Sequence, residues 1–149
     1  MNTFQLTQAT KISGIAGLVF LLLSFVLTTI TLDLQLHDTY LIFPYNYIIR
    51  FCAITLLVAA VWYQLSSRLS LSDNLTFMHL GFTIGGTLVV ALCYPIFVPD
   101  AGYVSTDLFG TISFTAFLYA TKVTAIAVLV VVAAQILLPV NTLRAALRS

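Results

Sequence analysis

Four unbroken apolar runs dominate this sequence, at about Ile12–Leu32, Tyr45–Leu65, Phe77–Val98 and Leu108–Leu138. Roughly 20 apolar residues in a helix cross a hydrocarbon core about 30 Å thick. Only 7% of the 149 residues are charged, so the chain cannot solvate its own surface as a soluble domain does. The runs are continuous and not alternating, which predicts helices and not barrel strands. The expected fold is an all-α integral membrane bundle of four transmembrane helices in one domain, in contact with lipid throughout. The fourth run exceeds one span, so its helix must tilt or protrude. Pro139 is expected to close it, leaving 139–149 as an interfacial tail with Leu143 and Leu147 on one face.

Charge placement predicts orientation. Lys11, Arg68, Arg144 and Arg148 fall on one side of the expected bundle, while Asp33, Asp38, Asp100 and Asp107 fall on the other. The positive-inside rule makes the first side cytoplasmic, so both termini are expected inside; Asp73 alone breaks the pattern. The first run carries no small-residue cleavage site after it and is read as a retained helix. The Asn74-Leu75-Thr76 sequon falls inside, where it should stay unglycosylated. A net charge of +1 with no basic run gives no foothold for nucleic acid. A bacterial cytoplasmic or mitochondrial inner membrane is the expected location.

Small residues mark the expected helix contacts. Ser13, Gly14 and Gly17 open the first helix, and Gly81, Gly85 and Gly86 form a small-xxx-small pattern in the third. Trp62 and Tyr63 read as interface anchors, and Pro95 as a kink or end for the third helix. Cys52 and Cys93 fall at similar depth, so a disulfide is geometrically open; as small apolar residues they are expected to be buried and free. Polar residues inside the spans are few. Asn46 and Arg50 on the second helix, with Thr115, Tyr119 and Lys122 on the fourth, could line a polar pocket for an anion or lipid headgroup, or contact a partner. Alternatively, Arg50 snorkels to the surface and Lys122 pairs with an acid.

The link between the first two runs holds Leu34-Gln35-Leu36-His37-Asp38-Thr39-Tyr40, with one of only two histidines in the chain. This segment resembles the His-Asp-Thr-Tyr stretch of subunit I of the heme-copper oxidases, such as cytochrome c oxidase. Ser72–Leu80, with Asp73 and His79, resembles that family's entry to its eleventh helix, and Pro99–Asp107 its last outer loop. The whole chain thus resembles the final four helices of that subunit. The resemblance implies that His37 and Asp38 take part in a magnesium site, provided a partner supplies further ligands; alternatively they tie the link to neighbouring loops and cap the second helix. His79 is read as an interface histidine bonding a carbonyl or loop residue.

The departure from the family is as informative. Where the family continues with two heme-ligating histidines, this chain has Tyr45 and Tyr47 within Pro44-Tyr45-Asn46-Tyr47. Heme is therefore not expected, nor is copper, whose ligands in that family belong to earlier helices; no nucleophile–base set or phosphate loop offers another enzyme class. The expected function is a non-catalytic membrane subunit packing in a respiratory or other membrane complex. The alternatives are the small-molecule, anion or lipid binder built on Arg50 and Lys122, and a redox subunit with unusually ligated heme.

Overall fold

The computed structural model describes residues 3–27, 31–36, 39–97 and 112–148, with side chains over 8–27, 44–93 and 119–148. Helices α1 (Thr3–Val26), α2 (Tyr45–Leu65), α3 (Asp73–Phe97) and α4 (Ile112–Ala134) are followed by the short α5 (Leu137–Ala146). Four helical segments are long and apolar enough to cross a membrane, the last running from α4 into α5. The helical bundle read from the apolar runs is therefore the architecture observed.

Two boundaries differ from the sequence reading. The first helix does not reach Leu32. Instead β1 (Thr31–Leu36) and β2 (Thr39–Pro44) pair antiparallel, from Thr31 opposite Pro44 to Leu36 opposite Thr39. β-branched residues crowd a helix but fit a pleated strand, and Thr28, Thr29, Ile30 and Thr31 end the run. The second difference is a break at Gln135–Ile136 in what reads as one long fourth helix. Pro139 is not its end but lies in the first turn of α5. Its ring excludes the carbonyl four residues earlier, that of Gln135, and it has no N–H to give it. The chain tightens there: the Gln135 and Ile136 amides bond the Val132 and Ala133 carbonyls, three residues back, at 3.1 Å each.

α1 packs chiefly on α2, and α3 on α4, with the two helical pairs meeting along α2 and α3. Close approach explains the glycines that are used. A methyl at Gly17 would stand 2.9 Å from the Leu57 side chain and 3.1 Å from the Ala53 carbonyl. A methyl at Gly86 would stand 2.6 Å from the Val131 side chain and 3.2 Å from the Ala127 carbonyl. Phe20, Tyr45, Ile49, Leu56 and Val90 form the core between the pairs. A second, smaller core of Ala59, Tyr63, Leu71 and Leu138 sits beneath α5. Cys52 and Cys93 are both buried and both free.

Candidate functional site

A buried polar cluster joins α2, α3 and the α4–α5 break. Tyr63, two residues before the end of α2, is buried and not an interface anchor. Its hydroxyl lies 2.7 Å from His79 Nδ1, and His79 Nε2 lies 3.2 Å from Gln135 Oε1. Gln135 Nε2 donates to the Val131 carbonyl at 2.9 Å and to Thr83 Oγ1 at 3.2 Å.

Donor and acceptor roles follow from that last pair. A carbonyl only accepts, so Val131 fixes which end of the Gln135 amide is NH₂. Oε1 then faces His79 and must receive Nε2–H. In the neutral ring Nδ1 is left as the acceptor of the Tyr63 hydroxyl. His79 is 1% exposed, so each of these polar atoms would be costly without its partner. With both ring nitrogens engaged, His79 has no lone pair free for a metal in this arrangement.

A second polar seam lies one turn nearer the end. Asn141 of α5 accepts from the Ser72 amide at 2.8 Å and donates to the Ser72 carbonyl at 3.2 Å and Thr76 Oγ1 at 3.0 Å. Trp62 Nε1 donates to Thr142 Oγ1 at 2.9 Å. These four bonds hold α5 against the bundle. Sequence reading missed Gln135 and Asn141, although a lone amide in so apolar a run was a signal that it must be satisfied.

Among the described residues, those expected to line one polar pocket share no hydrogen-bond partner. Arg50 turns to α1: Nε donates to Ser24 Oγ at 3.2 Å, and the guanidinium sits 4.5 Å from the Phe25 ring centroid and 5.5 Å from that of Tyr47. Asn46 is buried, and its Oδ1 has no partner among the described residues. Tyr119 and Lys122 stand on the exposed side of α4. Thr115 lies on α4 with its side chain outside the described residues, and His37 and Asp38 lie outside them altogether. Among the described residues no carboxylate pairs with Lys122.

The third-helix glycines divide. Gly86 is used inside the chain, whereas a methyl on Gly81 or Gly85 would meet nothing within 4 Å. With Phe82, Val89, Val123 and Ile126 they line an open apolar groove of about 360 Å³ between α3 and α4. Tyr45 is buried in the core and Tyr47 is exposed. Comparison with protein-family models, curated proteins and solved structures found no match for this chain.

Proposed function

We propose that this chain is a non-catalytic membrane subunit that packs through α3 and α4 against a helix of a larger membrane complex. One observation carries the reading: the groove floored by Gly81 and Gly85 is open, while Gly86 beside it is filled from within. Small residues let helix backbones approach, and van der Waals packing drives association where lipid removes the hydrophobic force. Lys122 lies on the same helix as one wall of the groove, exposed within a span, where a cation is costly without a counter-charge or a route to the headgroups. The likeness of Leu34–Tyr40 and the segments after it to an oxidase subunit makes a respiratory complex the first place to look.

The test is the native size of the protein extracted from its own membrane in mild detergent. The expected result is a particle well above the 16.3 kDa of the chain. Gly85→Leu should release the chain from that particle while leaving its own helices intact, because the space above Gly85 is empty. A wild-type chain that runs alone, or a Gly85→Leu variant that stays in the particle, would overturn the proposal.

A further inference from the structure

We propose that the cleft between the start of α3 and α5 binds an anionic phosphate group, as a phospholipid headgroup or as free phosphate. The cleft holds about 340 Å³ and is lined by Ser70, Ser72, Asp73, Arg144 and Arg148 among others. Arg144 lies in the last turn of α5 and Arg148 in the turn just past its end, and both line the cleft. Asn141, three residues before Arg144, grips the Ser72 backbone from both sides. That grip sets the end of α5 against the Ser70–Asp73 segment.

The charges in the cleft are not satisfied from within. Neither guanidinium has a partner among the described residues, and Asp73 lines the same cleft without forming an ion pair with either. Two cations against one carboxylate leave the cleft positive. The first turn of the 25-residue α3 opens here and adds to that potential. Guanidinium forks match phosphate oxygens in pairs. α5 exposes Val140 and Leu143, and Leu147 just past its end is exposed as well. An apolar stripe beside a basic one is the pattern of a helix lying in the headgroup region, where acyl chains and phosphate meet. This inference does not depend on what fills the α3–α4 groove.

The experiment compares retention of phosphatidylglycerol and phosphatidylcholine by the purified full chain, read by native mass spectrometry. About tenfold preference for phosphatidylglycerol is expected. Arg144→Gln with Arg148→Gln should abolish the preference, and the paired Arg→Lys variant should keep part of it. Asp73→Asn should raise it by removing the one carboxylate that lines the cleft among the described residues, and this variant decides the matter should the double glutamine variant fail to fold. Preference that inorganic phosphate does not displace assigns a lipid headgroup; displacement by inorganic phosphate assigns free phosphate. Equal retention of both lipids with no phosphate binding overturns the site, as does a preference that Asp73→Asn leaves unchanged.

Discussion

The Tyr63 hydroxyl donates to Nδ1 of His79 across 2.7 Å, joining the end of α2 to the first turns of α3. The rings meet edge to face with centroids 5.8 Å apart, so they contact through more than the hydrogen bond. Tyr63→Phe keeps the ring and removes the donor. It should lower stability by about 0.5–1.5 kcal/mol, within the range of hydrogen bonds between membrane helices. Thermal unfolding in detergent measures it, and nitrogen chemical shifts of His79 should report Nε2–H in the wild type.

Gly85 and Gly86 are neighbours with opposite expected responses. Gly86→Ala forces a methyl into Val131 and should cost about 1–3 kcal/mol. Gly85→Ala meets no atom and gains helix propensity, so stability should stay level or rise by up to about 1 kcal/mol. Paired unfolding curves in the same detergent distinguish the two.

Asn141→Leu keeps the approximate volume but leaves the Ser72 amide without its acceptor. The loss should be about 2 kcal/mol, and α5 should loosen before the rest of the bundle. Hydrogen exchange at Ser72 should quicken by about tenfold or more, while exchange in the middle of α2 stays slow.

The two cations within the spans should separate by stability. Arg50→Met removes the bond to Ser24 and the stacking on Phe25, at a cost of about 1 kcal/mol. Lys122→Met removes no hydrogen bond or ion pair among the described residues and should leave the isolated chain as stable or more so. Unfolding of the two variants checks the order.

How much of this was legible in the sequence depends on the kind of pattern involved. Apolar length located the spans, and α2 matches its expected limits of Tyr45 and Leu65. Rotation of each helix was not legible. A helix that is apolar on every side carries no stripe to say which face turns inward, so Arg50 could not be assigned to α1 or α4 in advance. The hairpin had a signal that went unused: Thr31, Asp33 and Gln35 alternate with Leu32, Leu34 and Leu36. His79 was singled out, but its partners stand 16 and 56 residues away, beyond any local pattern.

Pro139 has an effect well beyond the turn that it interrupts. Because the Gln135 amide is drawn to Val132, the Val131 carbonyl is left without its usual backbone donor and takes the Gln135 side chain instead. That exchange sets which way the glutamine faces, and so which nitrogen of a buried imidazole holds the proton. An exposed ring thereby governs which tautomer a buried histidine takes. Pro139→Ala, by letting the helix run straight, should shift the His79 ring resonances although the two residues do not touch. Combined with Gln135→Leu it should add little further change, since both substitutions cut the same linkage.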